Sequence, residues 1–225
     1  MSWTVDQPVA SVSDGSSFPV RRIYCVGRNY RAQALEMGAD PDREPPFFFM
    51  KPGDALVGSD EVVPYPPRTA DYQHEIELVV AIGKRGRDID QADAYDHVFA
   101  HAVGLDMTRR DLQLEARKAG RPWDMGKGFD RSAPCGIFSP LAETGPLTAG
   151  AIRVEVNGAA RQASDLSLQI WNVAEVIADL SAYVELMPGD LIFMGTPEGV
   201  GPVARGDTLV GSIAGLAHLR ITIGD

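Results

Sequence analysis

Two glutamates and an aspartate set the chemistry open to this chain. Glu75 and Glu77 stand two apart in Tyr72-Gln73-His74-Glu75-Ile76-Glu77-Leu78, and the apolar run continues through Ile82 to Gly83. Aliphatic and β-branched residues in such a run predict a strand over Tyr72–Ile82. Its period-two alternation aims Glu75 and Glu77 to one side, with His74 and Ile76 opposite. Paired carboxylates at the mouth of an apolar strand repel each other and resist desolvation, so a basic side chain or a hard divalent cation belongs between them. All-oxygen ligands favour Mg²⁺, Mn²⁺ or Ca²⁺ over Zn²⁺. A solvated edge strand with its glutamates in water is the plainer alternative. Asp106, directly after the apolar run Ala100–Leu105, offers a third carboxylate on a rigid element, with helix capping as its simpler role.

Lys127 lies between glycines and aromatics in Trp123-Asp124-Met125-Gly126-Lys127-Gly128-Phe129. A lysine there either pairs with a carboxylate, points into a site, or snorkels over Trp123. Arg110 and Gln113 share a helix face one turn beyond Asp106; the arginine can hold a substrate carboxylate bidentately or simply neutralise Glu75 or Glu77. Gly195-Thr196-Pro197-Glu198-Gly199 is neither a P-loop nor a dinucleotide fingerprint, but its turns can present donors to a small carboxylate. His97 and His101 lack the continuous helix and adjacent base of a zinc pair, and no serine or cysteine has a nucleophile elbow.

The elements that must position these groups are mostly strands. Arg22–Val26, Phe47–Met50, Tyr72–Ile82, Ala100–Leu105, Leu191–Met194, Thr208–Ser212 and Leu219–Ile223 read as strands, the Phe47–Met50 run returning to the core. Asn157-Gly158 after Arg153–Val156 signals a hairpin. Val173, Val176, Ile177, Leu180 and Val184 fall at helical spacing, and Thr108-Arg109-Arg110-Asp111 predicts Thr108 as the N-cap of a helix reaching Lys118. Ala32–Met37 allows one or two helical turns before the Pro-rich break Asp40–Pro46, a place where a mobile lid can sit. These elements predict a β-rich α+β fold: a single catalytic unit over residues 20–225, preceded by a leader over 1–19. A net charge of −10 over 225 residues argues against nucleic acid or an anionic membrane as partner while leaving room for a small anion. Two isolated cysteines, no spanning apolar run and no secretory pattern fit a reduced, cytoplasmic protein.

Taken together, Tyr24-Cys25-Val26-Gly27-Arg28-Asn29-Tyr30, Phe49-Met50-Lys51-Pro52, His74-Glu75-Ile76-Glu77-Leu78, Gly104 through Asp111, Lys127-Gly128-Phe129 and Gly195-Thr196-Pro197 resemble, in order, the fumarylacetoacetate hydrolase superfamily. Within it the chain is most similar to fumarylpyruvate hydrolases and acylpyruvases. The resemblance implies a roll of mixed β-sheets with a few short helices, usually a homodimer. It implies Mg²⁺ or Mn²⁺ on Glu75, Glu77 and Asp106, with Arg28, Arg110, Gln113, Lys127 and Thr196 around a small anionic 2-oxo acid. The implied reaction is hydrolysis of a C–C bond in a 2,4-dioxo acid, fumarylpyruvate foremost.

One position departs from the pattern. Hydrolytic members carry a His and, three residues on, a Glu after the Arg-Asn-Tyr segment; here those positions are Gln33 and Glu36. Glutamine can hydrogen-bond a water but cannot take its proton. Tautomerisation or decarboxylation of oxaloacetate, which needs no activated water, is the alternative this substitution keeps open.

Overall fold

The computed structural model describes residues 2–38 and 44–225. A hairpin of β1 (Val9–Ser11) and β2 (Ser17–Pro19) leads into β3 (Arg22–Gly27), α1 (Arg31–Glu36) and β4 (Phe47–Pro52). Short strands β5 (Leu56–Val57) and β6 (Glu61–Pro64) precede β7 (Tyr72–His74), β8 (Ile76–Ile82), β9 (Val98–Leu105) and β10 (Thr108–Arg109). Then come α2 (Arg110–Lys118), α3 (Asp124–Lys127), β11 (Ala133–Pro134), β12 (Ser139–Pro140), α4 (Leu141–Thr144), β13 (Ala151–Val156) and β14 (Ala159–Asp165). Helix α5 (Val173–Tyr183) is followed by β15 (Leu191–Phe193), β16 (Gly201–Pro202), β17 (Thr208–Ile213) and β18 (Leu219–Gly224).

The central mixed sheet has six strands in the order β12-β9-β8-β15-β3-β4, with β15 parallel to β3 and antiparallel to β8. Every residue of β8 is buried, because both faces of this sheet are covered. Ile76, Leu78, Val80 and Ile82 pack toward the second sheet, β14-β13-β17-β18-β6, and toward α5. Val79 and Ala81 face a smaller core with Phe18 of the N-terminal hairpin and Phe138. The expected mixture of sheets and few helices is thus the observed one.

Local signals act where expected. Asn157 and Gly158 take φ values of 51° and 79°, the left-handed pair a two-residue hairpin turn requires. Helix α5 buries Val173, Val176, Ile177 and Leu180 and opens with a reciprocal box, Asn172 accepting from the Glu175 N–H and Glu175 from the Asn172 N–H, each at 3.0 Å.

Three expectations need correction. The strand expected to run unbroken over Tyr72–Ile82 is interrupted at Glu75: β7 belongs to a small sheet with β10 and β16, β8 to the central one. The physical cause is visible at Ile76, whose N–H donates to the Gln162 side chain at 3.0 Å rather than to a neighbouring strand. Thr108 does not cap a helix. It pairs with Gln73 in the β10–β7 ladder, α2 begins after Arg109, and the Thr108 hydroxyl is drawn to Lys127 at 2.8 Å. Phe47–Met50 returns to the core only in part: β4 is the sheet edge, Phe48 and Phe49 pack half-buried against the two cores, Met50 is exposed, and the residue that goes inside is Lys51. Part of the Pro-rich break and of the lid segment falls on residues 39–43, outside the described residues.

Candidate active site

The seam between β7 and β8 places Glu75 where two sheets meet. The register Ile76↔Leu105 sets the residue after β9 opposite Glu75, and the Asp106 N–H donates to the Glu75 carbonyl at 2.9 Å. Glu77 lies one step inside, opposite Gly104. The three carboxylates are buried, with oxygens within 4.8 Å of one another.

Three basic side chains answer them. Lys127 Nζ lies 2.9 Å from Glu75 Oε2, 2.7 Å from Asp106 Oδ2 and 2.8 Å from Thr108 Oγ1. Lys51 Nζ lies 2.7 Å from Asp106 Oδ1, and donates to the carbonyls of Met107 at 3.0 Å and Lys127 at 2.5 Å. The Arg110 guanidinium pairs with Glu75 Oε1 and Gln113 Oε1, and its Nε donates to Gln73 at 2.9 Å. Burial by itself raises the Glu75 carboxyl, but Lys127 and Arg110 outweigh it and hold the group at about 2. Glu77 goes the other way: burial, then Asp106 and Glu75, push it well above the carboxylate range, against a partial offset from Lys127 and the Gly195 N–H at 2.8 Å. Lys127 is raised, because Asp106 and Glu75 overcome the cost of its burial.

The donor set fits a hard dication. Glu77 is a buried carboxylate short of positive charge, and Asp106 Oδ1 accepts no well-aligned hydrogen bond despite its contact with Lys51. All three groups offer oxygen, the donor type that suits Mg²⁺, Mn²⁺ or Ca²⁺.

Above this cluster a cleft opens, with Glu75, Lys127, Arg110, Gln113 and Thr196 in its wall. Gln33 from α1 also faces it, buried and with Oε1 lacking a donor among the described residues. Arg28 lines the cleft in a left-handed conformation, φ 56°, its guanidinium 5.4 Å from the Phe47 ring centroid. Glu36 is placed differently: it is exposed and does not line the cleft, and its Oε2 accepts from the Gly199 N–H at 3.1 Å. Thr196 spends its hydroxyl proton on the Ile76 carbonyl at 2.8 Å and accepts from Gln162 Nε2 at 2.8 Å. His97 and His101 stand apart, bonded to the Lys84 carbonyl and Thr144 hydroxyl, each at 3.0 Å.

Sequence reasoning misses three supports. Lys51 is one, and its signal is the alternation that puts residues 47, 49 and 51 on one strand face. Asn29 is another: fully buried, it ties Trp171 to the Met194 carbonyl, and its Cβ blocks any side chain at Gly195, 2.6 Å from where a Cβ would stand. Gln162 is the third, and its polar strand carries no local sign of its role.

The fumarylacetoacetate (FAA) hydrolase C-terminal family model matches residues 22–224. A fumarylpyruvate hydrolase from Ralstonia sp. is 48% identical over 190 residues, 84% of this chain and 98% of the relative. A mitochondrial oxaloacetate tautomerase from Mus musculus is 37% identical over 203 residues, 90% of this chain and 91% of the relative. A crystal structure of fumarylpyruvate hydrolase from Pseudomonas aeruginosa in complex with Mn²⁺ and pyruvate matches with a TM-score of 0.97 at 50% identity, covering 99% of this chain and 98% of that one.

Proposed function

The chain belongs to the fumarylacetoacetate hydrolase family, and on that footing we propose that it hydrolyses a small acylpyruvate, fumarylpyruvate first, to fumarate and pyruvate. The observation that carries this is the buried Glu75, Glu77 and Asp106 cluster, with Lys127 on it, at the floor of a cleft rimmed by arginines. These carboxylates hold Mg²⁺ or Mn²⁺, which when bound supplies the charge that favours an enolate in a 2-oxo acid.

The chain's own residues do the rest. Arg110, fixed by Gln73 and Gln113, presents its guanidinium to the pyruvate-end carboxylate. Thr196, its proton already committed to Ile76, holds the opposite wall. Gln33 Oε1, buried without a donor among the described residues, accepts a hydrogen bond from the attacking water and orients it. Glu36 takes that water's proton after α1 shifts toward the cleft. Water adds to the distal carbonyl, the C–C bond breaks, and its electron pair passes to the pyruvate half. Lys127, its three N–H bonds held by Glu75, Asp106 and Thr108, sets its positive charge beside the developing enolate, and a proton at carbon completes pyruvate.

A second reading rests on one observation. Gln33 is no base and Glu36 stands outside the cleft, an arrangement suited to oxaloacetate tautomerisation or decarboxylation. Incubating the Mg²⁺-loaded protein with fumarylpyruvate and with oxaloacetate, and identifying products, separates the two. Release of fumarate and pyruvate supports the first; turnover of oxaloacetate alone overturns it.

The proposal extends to context. Residues 20–225 form the catalytic unit and 1–19 a leader; the protein acts in the cytoplasm, in breakdown of aromatic compounds, as a homodimer. Two buried free cysteines, Cys25 and Cys135, agree with a reducing compartment, and exposed Val9, Val62 and Ile137 offer apolar surface for a second copy. No helix among the described residues is long and apolar enough to cross a membrane.

A further inference from the structure

Under the cleft the acidic and basic groups match in number, Glu75, Glu77 and Asp106 against Lys51, Lys127 and Arg110. Two more guanidiniums line the same cleft, those of Arg28 and Arg117. Among the described residues neither has a carboxylate at ion-pair distance. Arg28 instead lies against the Phe47 ring, and Arg117 donates one bond to the Met37 carbonyl at 3.2 Å. They act on one another: burial and then Arg117 lower the Arg28 guanidinium, with Glu44 opposing from longer range. Arg28 is also held at φ 56°, a conformation non-glycine residues adopt at some cost. Arg28 is half-buried on a strained backbone and Arg117 is exposed at the rim, so two like charges flank one end of the cleft and suit an anion between them.

Their position gives that anion a place. Arg110, Gln113 and Arg117 fall at i, i+3 and i+7 of α2, on one helix face. Arg117 is two turns from Arg110, roughly 10 Å along the axis. Between the two ends the wall is apolar: Phe47, Phe49 and Trp123, with ring centroids 5.6 and 5.7 Å apart about the indole.

We propose that Arg28 and Arg117 together receive the far carboxylate of the substrate, so that this enzyme selects 2,4-dioxo acids that are anionic at both ends. This rests on the acylpyruvate reading and narrows it to a substrate class. A dioxo diacid with a conjugated spacer reaches from Arg110 to Arg117 along the aromatic wall. Acetylpyruvate lacks the second anion, and oxaloacetate is too short to engage both ends.

The test is steady-state kinetics with Mn²⁺ for wild type, Arg117→Gln and Arg117→Lys on fumarylpyruvate and acetylpyruvate. In Arg117→Gln the ratio of kcat/KM for fumarylpyruvate over acetylpyruvate falls about tenfold or more, mainly through KM, and Arg117→Lys recovers part of it. An unchanged ratio overturns the subsite, including the case in which loss of the Met37 tie slows both substrates alike. If wild type turns over neither acylpyruvate, the proposed function fails, and calorimetric binding of fumarate then decides the subsite separately. Weaker binding in Arg117→Gln upholds it; equal binding ends it.

Discussion

Lys51 Nζ stands 2.7 Å from Asp106 Oδ1, and neither side chain touches solvent. A lysine ammonium with no water around it persists only because Asp106 and two backbone carbonyls surround it. In turn Lys51 fixes the orientation of Asp106, leaving Oδ2 toward Lys127.

Removing that cation should show as lost stability. Lys51→Met keeps most of the volume but leaves Asp106 with Lys127 alone, and breaking one side of a buried pair costs about 3–5 kcal/mol. Urea denaturation of chelated protein measures this loss, and added Mn²⁺ should recover part of it through binding to the folded state. A variant as stable as wild type would show that the pair carries no net stability.

Glu77 should respond in the opposite sense. Its carboxyl is buried and poorly compensated without metal, so Glu77→Gln should raise the melting temperature of chelated protein. The same change should weaken Mn²⁺ binding about tenfold or more and shrink the stabilisation that Mn²⁺ confers. Calorimetric titration with Mn²⁺ tests both halves, and undiminished affinity would remove Glu77 from the ligand set. Chelated wild type should be inactive.

Gln33 and Glu36 divide the two reactions. Where hydrolysis is native, Glu36→Gln should cut acylpyruvate turnover by about 10²–10⁴-fold, and Gln33→His should raise it. Oxaloacetate tautomerisation should change little in either variant, since Lys127 and the carboxylate cluster serve it. Parallel kinetics on both substrates provide the check, and a Glu36→Gln enzyme of full hydrolytic activity would dismiss the glutamate as base.

Gln162 is expected to act on KM and stability without touching substrate. It accepts from His74 at 2.9 Å and Ile76 at 3.0 Å, and donates to Thr196 and the Pro197 carbonyl, both at 2.8 Å. Gln162→Leu leaves those groups unpaired, at about 1–3 kcal/mol for each that stays buried. Denaturation together with a raised KM would establish the tie, whereas wild-type behaviour in both would refute it.

His101 should make the fold acid-sensitive. Burial holds its imidazole at about 4, below the ordinary 6.5, so the folded state favours the neutral ring. The stability this implies is full above pH 6.5 and is lost as pH falls from there toward 4, with no further loss from this group below. A depression of that size corresponds to about 3 kcal/mol. His101→Gln should flatten that part of the stability–pH curve, and identical slopes for variant and wild type would exclude the histidine as the cause.

What the sequence determined by itself is local. Alternation in the run from Ile76 to Ile82 marks a buried strand carrying Glu77, the spacing of Val173, Val176, Ile177 and Leu180 marks α5, and Asn157-Gly158 marks its turn. Arg110 and Gln113 share a helix face by period alone, and they do so here. The ordered match of short motifs also pointed to the family. Pairing between distant segments was decided only in three dimensions. Asp106 meets Glu75 because β8 and β9 pair in one register, and a slip of one residue would turn Glu77 to the other face. Gln162 and Asn29 are polar residues whose burial follows from what packs against them, which no nearby residue announces. Thr108 has the spelling of a helix cap, yet β10 pairing and the Lys127 ammonium take its backbone and hydroxyl. Hydrophobic period and turn chemistry act between neighbours in the chain, whereas charge compensation acts between neighbours in space, and this site is built of the second kind.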